Sequence, residues 1–314
     1  MPKLSDIEEK YVNGYKVDKE SDEVIYSDEK HVYFDKNDYV PYVSVTTLIH
    51  NYVHEFDAAF WSAYKALEAL VEPEDFALVK DSLLSQKKWR PSYLEQLEVD
   101  LEEFESKRAE ILLSYKEENE KGCERGTRIH AEYENKYYTK ETHSLKKFGL
   151  GGKFTCYKGY DQLDLEKGIY PEFLISQKSK DGFLRVAGQL DLLVKDGNDI
   201  YIYDIKTNKE IKQKSFFDKK SRSHQMMKFP LNNLMDCNYW HYSLQLSLYA
   251  YLLQQINPDF VIKKLTLIHV DHSNNVTEYE CPYLKEDVIR MLKHYKKTSK
   301  IKLELERDKP ISFD

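Results

Sequence analysis

Apolar residues alternate with polar ones in three short runs near the start of the chain: EVIYS, HVYFD and YVPYVSV. Ser-Asp and Lys-Asn-Asp turn chemistry separates them, which predicts short strands over residues 22–45. Ser44 or Thr46 then stands ahead of Leu48, Ile49, Tyr52 and Val53, the order of a capped helix. From about 57 to 138 the periodicity is helical, broken at Pro73 and Pro91. Residues 146–168, with Gly149, Gly151 and Gly152, have the character of a connection. After Tyr170 the period returns to two in YPEFLIS, FLRVAGQLDLLV and IYIYDIKT. Turns containing Asp181-Gly182 and Asp196-Gly197-Asn198 divide these three segments. A helix over about 237–256, a strand near 261–270 and a last helix over about 285–299 follow. A three-strand meander, a helix and a further strand, with helices before and after, predict an α/β fold with a central mixed sheet. Residues 1–120 are expected to form N-terminal strands and a helical wall or arch, and 121–314 the core.

Composition narrows this picture. The chain has 314 residues, 41% hydrophobic and 32% charged, with a mean hydropathy of −0.68. That suffices for a sizeable core, and no apolar run reaches the length of a membrane span. The start, MPKLSDIEEKY, lacks a basic segment followed by an apolar stretch, so a cytoplasmic location is expected. Cys123, Cys156, Cys237 and Cys281 stand far apart, without the paired spacing that grips zinc or an iron–sulfur cluster. Reduced thiols that pack are expected.

A net charge of −7 argues against a general nucleic-acid coat, but the charge is unevenly spread. Residues 66–120 carry 15 acidic and 7 basic side chains. Residues 206–228 carry Lys206, Lys209, Lys212, Lys214, Lys219, Lys220, Arg222 and Lys228 against Glu210 and Asp218. Phe216 and Phe217 lie within that basic stretch, so it reads either as a solvated loop or as a place where strands of nucleic acid bind.

Candidate chemistry lies on the meander. In IYIYDIKT, strand alternation points Asp204 and Lys206 to one face. The D-x-K triplet recurs at Asp28-Glu29-Lys30 and Asp218-Lys219-Lys220, so the apolar setting of Asp204 is what distinguishes it. A two-residue turn at Gly197-Asn198 pairs Asp196 with Asp199 and sets Asp191 opposite Asp204. Centring the turn one residue earlier makes them diagonal on the same face. A turn at Asp181-Gly182 sets Glu172 opposite Asp191. Facing residues lie about 5 Å apart, so three carboxylates would form a row unless a bulge intervenes. Such a row repels itself unless a cation joins it, and oxygen donors suit Mg²⁺ or Mn²⁺. A ladder of surface acids balanced by lysines is the bland alternative. Two helices add candidates. Gly126 and Thr127 are expected to begin a turn that presents His130, with Tyr133, Glu134 and Tyr137 on the same side. His241, Gln245 and Tyr249 form a polar stripe at four-residue spacing.

Taken in order, Gly126-x-x-x-His130, Glu172, Gly188-x-x-Asp191, Asp204-Ile205-Lys206 and Gln245-x-x-x-Tyr249 resemble the motif series of PD-(D/E)XK nucleases of the RecB-like exonuclease branch. The resemblance spans about 126–250. Upstream, Ser44-Val45-Thr46-Thr47, Phe56-Asp57 and Trp61 also resemble the mitochondrial genome-maintenance exonuclease group and phage relatives.

The resemblance implies a restriction-endonuclease-like sheet flanked by helices, preceded by an N-terminal β-hairpin and a helical segment. It implies that His130, Asp191, Asp204 and the Ile205 carbonyl bind one or two Mg²⁺ or Mn²⁺ ions, with Glu172 as a further acid and Lys206 as catalytic lysine. Gln245 and Tyr249 would hold DNA near the scissile phosphate, with Ser44 and Thr46 as further phosphate contacts or helix caps. The basic side chains of Lys209, Lys212, Lys214, Lys219, Lys220 and Arg222 would take the DNA backbone. The implied activity is metal-dependent DNA hydrolysis, exonucleolytic on single strands or ends, in recombination, repair or replication, alongside a protein partner of those processes. The clustered cysteines of iron–sulfur relatives and a helicase P-loop are both absent from the sequence. A non-cutting binding protein on the same fold and a structure-specific endonuclease are the competing readings.

Overall fold

The computed structural model describes residues 10–138, 142–158, 162–163, 165–218 and 221–307, with Lys147 and residues 301–307 as backbone only. Two compact units are present: residues 1–53, 129–216 and 224–314 make one, and residues 54–128 with 217–223 make the other.

The first unit begins with a small hairpin, β1 (Tyr11–Val12) and β2 (Tyr15–Lys16). Strands β3 (Lys19–Glu20), β4 (Val24–Ser27), β5 (Val32–Asp35) and β6 (Pro41–Ser44) follow, the last three where residues 22–45 were read as strands. Helix α1 (Val45–His50) starts at Ser44, whose side chain accepts from the Thr47 amide, so Ser44 is the cap. The helix stops before Tyr52 and Val53, which the sequence had placed on it.

The second unit holds α2 (Ala58–Leu70), α3 (Pro73–Gln86), α4 (Ser92–Gln96) and most of α5 (Leu101–Tyr138). Pro73 occupies the first turn of α3, where its missing N–H costs nothing, and Pro91 precedes α4. Phe60, Leu67, Phe76, Leu83 and Phe104 form a core of their own there. The turn expected at Gly126-Thr127 is absent, because α5 runs unbroken through both residues to Tyr138.

Beyond α5 come β7 (Thr142–His143), β8 (Phe154–Cys156), and the meander β9 (Gly168–Lys178), β10 (Arg185–Asp196) and β11 (Asp199–Lys206). Two short strands, β12 (Phe217–Asp218) and β13 (Ser223–His224), precede α6 (Asn238–Ile256). Strand β14 (Val261–Val270), an edge strand β15 (Val276–Cys281) and α7 (Lys285–Arg307) complete the chain. The alternation read from the sequence did not include β15, where Thr277, Glu278 and Glu280 are exposed.

Eleven described strands make one mixed sheet. One face packs on α1, α6 and α7 through residues such as Leu48, Leu190, Ile202, Leu246, Leu253 and Met291. The other face packs on Ile129, Tyr133 and Tyr137 of α5 and on Leu145 and Phe148. Helix α6 is buried nearly all round, so its leucines serve the sheet on one side and other helices on the other.

The course of β10 positions everything that follows. Along one edge it pairs with β9 from Arg185 to Lys195. Along the other it pairs in parallel with β6 at Val186 and Ala187, and then with antiparallel β11 from Leu192 onward. The sheet therefore forks on that edge between Ala187 and Leu192.

Asp35 pins the N-terminal strands to the meander. It is fully buried and accepts from Tyr42 (3.0 Å), Lys178 (2.6 Å) and Arg185 (3.1 Å). Burial would raise its pKa, but the bonds from Lys178, the Asn37 amide and Tyr42 hold it at about 2. The stabilisation is therefore present above the ordinary aspartate value of about 3.9 and is lost as pH falls toward 2. Asp35→Asn is expected to lose about 1.5–3 kcal/mol in denaturant unfolding at neutral pH, because it removes the carboxylate that Lys178 meets and one of the two, with Asp38, that Arg185 meets. Repeating the titrations at successively lower pH should show that deficit shrinking, and a constant deficit would contradict the assignment.

Candidate active site

Both hairpins adopt the register anticipated from their turns. Asp196 pairs with Asp199 and Leu192 with Tyr203, so Asp191 falls level with Asp204. Leu190 pairs with Phe173 and Leu192 with Pro171, so Glu172 falls level with Asp191. The inward alternation changes phase at this level in both strands. Tyr170 and Phe173 both join the helical core of α6, as do Leu190 and Leu193, whereas a strict period of two would separate them. Glu172 absorbs the irregularity with a left-handed φ of 51°, a cost that a non-glycine residue bears only where its surroundings enforce it. Because both strands slip together, the register survives.

The acids open onto the fork. Asp191 sits where β10 has left β6 and not yet met β11, so ladder bonds do not occupy that edge. Its Oδ2 accepts instead from the Ile205 amide at 2.6 Å. An N–H and C=O of one strand residue point to the same side, so the Ile205 carbonyl also faces this edge. His130, from α5, places Nδ1 3.5 Å from Asp191 Oδ1 and 3.9 Å from Glu172 Oε1. Ligand atoms of His130, Glu172 and Asp191 all lie within 4.8 Å of one another, the donor set and spacing that a divalent cation needs.

Asp204 stands beside this trio rather than in it. Its Oδ2 lies 2.7 Å from Lys206 Nζ, and its Oδ1 accepts from Gln245 Nε2 at 3.1 Å. Lys206 also rests 4.7 Å from the ring centroid of Tyr242 on α6. A lysine from the N-terminal strands completes the charge balance: Lys19 Nζ is 3.7 Å from Glu172 Oε2. The sequence reading missed Lys19, since nothing in a short polar strand marks it as neighbour to an acid 150 residues away.

The electrostatics follow from burial. Burial raises the pKa of Glu172 against the pull of His130, and lifts Asp204 to about 6, with Asp191 adding to the effect and Lys206 opposing it. Asp191 goes the other way: burial opposes its charge, but His130 holds its pKa below the usual range. Burial also opposes a charged His130, yet Asp191 and then Glu172 raise its pKa to about 10. Lys206 is likewise pushed up by Asp204 and Asp191 in spite of its burial. The protein thus meets its buried acids with a proton on His130 and two lysines.

Gly188 and Tyr249 form the support. A Cβ at Gly188 would lie 2.7 Å from Tyr249 Cε1 and 3.1 Å from Val45 Cγ2, so only glycine admits α6 and α1 this close. The Tyr249 hydroxyl donates to the Gln189 carbonyl at 2.9 Å, satisfying a backbone acceptor on the forked edge. The stripe on α6 accordingly faces inward: Tyr249 and Gln245 are both buried, and His241 pairs with Asp236 at 2.6 Å. In this structure Tyr249, for which a DNA contact is implied, is bonded to the β10 backbone, and Gln245 to Asp204.

Of the other implied contacts, Ser44 is occupied as the α1 cap, while Thr46 is exposed in the first turn. Lys209, Lys212 and Lys214 line an open cavity beside Asn208 and Phe216. Arg222 belongs to the other compact unit, and Lys219 and Lys220 lie outside the described residues. No helix among the described residues is long and apolar enough to cross a membrane.

The chain is similar to a solved structure of SSO0001 (18% identity, TM-score 0.24, covering 40% of this chain and 48% of that one). It is also similar to a solved structure from Eubacterium rectale described as a "putative exonuclease" (11% identity, TM-score 0.29, covering 45% and 46%). The chain thus spans about half the length of each of these solved chains. No curated protein matches it. The family model of the PD-(D/E)XK nuclease superfamily, whose members use divalent metals, matches residues 47–302, which include His130, Glu172, Asp191, Asp204 and Lys206. The chain belongs to the PD-(D/E)XK nuclease superfamily.

Proposed function

We propose that this protein is a divalent-metal-dependent deoxyribonuclease that hydrolyses phosphodiester bonds, acting as an exonuclease on single-stranded DNA or DNA ends. The observation that carries this reading is the convergence of His130, Glu172 and Asp191 next to the buried Asp204–Lys206 pair. In this reading those three residues hold the ion, with Asp204 and the Ile205 carbonyl flanking them as further ligands. Mg²⁺ or Mn²⁺ suits the donor set, and either, when bound, polarises the phosphate and lowers the pKa of water.

The chain's own residues do the rest. Asp204 fixes the Lys206 ammonium, leaving its other protons to orient the attacking water or meet charge on the phosphate. Gln245 holds the second Asp204 oxygen, so the carboxylate does not rotate away from the lysine. Lys19 restrains Glu172 from the opposite side. Lys209, Lys212 and Lys214 take the DNA backbone, which suits processing in recombination, repair or replication.

Asp191→Ala and Lys206→Ala are each expected to cut the rate of Mg²⁺- or Mn²⁺-dependent degradation of labelled linear DNA by a hundredfold or more, on the order of a lost transition-state contact. Circular single strands should survive the native protein, since an exonuclease needs an end. Cleavage of circles would favour an endonuclease, and no cleavage of any DNA would leave only a binding role.

The ion also has to displace a proton. At neutral pH His130 carries one, given its pKa of about 10, and Asp191 and Glu172 stabilise it. Mn²⁺ affinity should therefore rise with pH, by up to about tenfold per unit for one displaced proton, and level off as His130 deprotonates unaided. Calorimetry in two buffers of different protonation enthalpy should record about one proton released per ion at pH 7. A pH-independent affinity without proton release would count against His130 as a ligand.

A further inference from the structure

The open cavity beside the site has a volume of about 410 Å³, within the range of about 300–1,000 Å³ that holds small ligands. It adjoins the candidate catalytic lysine through two side chains. Lys206 rests against the Tyr242 ring, and the Tyr242 hydroxyl donates to Asn208 Oδ1 at 2.6 Å. Asn208 lines the cavity, and its carbonyl is held by His269 at 2.7 Å.

The walls are built rather than loose. Asn238, at the start of α6, accepts from the Lys212 amide (2.7 Å) and donates to the Glu210 carbonyl (2.8 Å). The Phe216 carbonyl accepts from the Gln225 amide at 2.8 Å, and the Ser215 hydroxyl donates to the Gln225 carbonyl at 2.7 Å. On this fixed rim the Phe216 side chain is 56% exposed, so part of the ring is open to a ligand. Of the lining charges, Lys212 pairs with Glu210 and Asp236 with His241, while Lys209 and Lys214 have no carboxylate partner among the described residues. An exposed ring that lines one cavity with two ammonium groups unmatched by a carboxylate suits a base and its flanking phosphates.

We propose that this cavity is a subsite for one unpaired nucleotide next to the scissile phosphate, its base stacked on Phe216 and its phosphates met by Lys209 and Lys214. The inference rests on the nuclease reading above and deepens it. Inside a duplex both faces of each base are covered by neighbours, so Phe216 can stack only on an unpaired or terminal base. The cavity therefore selects a single-stranded flank, whereas the lysines alone attract any backbone.

Binding of a fluorescent oligothymidylate and of an internally labelled, covalently closed duplex minicircle, which has neither ends nor unpaired bases, to the full chain, measured by anisotropy without divalent ions, separates these contributions. Phe216→Ala should weaken binding of the single strand about tenfold and leave the duplex within about twofold of native. Lys209→Ala with Lys214→Ala should weaken both and reduce the salt slope on the single strand by about 1.4, roughly 0.7 per phosphate contact. One abasic residue walked through the oligonucleotide should cost the native protein about tenfold at a single position, and Phe216→Ala nothing further there. Native-like single-strand binding by Phe216→Ala, or equal losses on both substrates, would overturn the subsite even if Mn²⁺-dependent cutting is observed. Phe216-dependent single-strand binding by a protein that cuts no DNA would overturn the nuclease reading and leave the subsite standing.

Discussion

A strand edge can satisfy only one neighbour at a time, and β10 divides one edge between two. It pairs with β6 at Val186 and Ala187 and with β11 from Leu192 onward. The gap leaves backbone groups and acidic side chains facing a crevice instead of a ladder. Each feature of the site answers that gap. Asp191 takes the Ile205 amide, Tyr249 takes the Gln189 carbonyl, and His130 approaches from α5. Without the fork, Asp191 and Asp204 would be flanked by continuous pairing and inaccessible to a phosphate.

The arrangement is electrostatically unfavourable before anything binds. Three carboxylates are withdrawn from water at one level of the sheet, and the compensating charges come from Lys19, Lys206 and a protonated His130. Asp204 shows the imbalance most directly, because burial raises its pKa to about 6, so the folded state holds its proton more tightly than the unfolded chain does. Its contribution to stability is complete below about pH 4 and is lost as pH rises through about 6. Functional sites commonly depart in this way from what would stabilise the fold.

Much of this was legible in the residue order. Two glycine-containing turns of definite length set the registers of both hairpins, and these placed Glu172, Asp191 and Asp204 on one level. Apolar periodicity located α6, β14 and the strands of residues 22–45. Other features depend on tertiary contacts that no local pattern encodes. The fork requires β6 to arrive in parallel from more than 140 residues upstream. The phase slip requires a glutamate to take φ near 51°, for which Glu172 has no neighbouring signature. Lys19 looked like any strand lysine, and the α6 stripe read as polar although it points inward. Gly126 suggested a break, yet a single glycine costs a long helix only about 1 kcal/mol.

The contact between Gly188 and Tyr249 reaches further than local packing. Sheet and helix meet there across a hydrogen atom, so the volumes allowed at these two positions are linked. A larger residue on β10 would demand a shorter one on α6, and shortening Tyr249 would remove the hydroxyl that closes the Gln189 carbonyl. Drift at either position is thus coupled to the other, and the pair would change together or hardly at all, in step with the spacing of the metal-facing edge it braces.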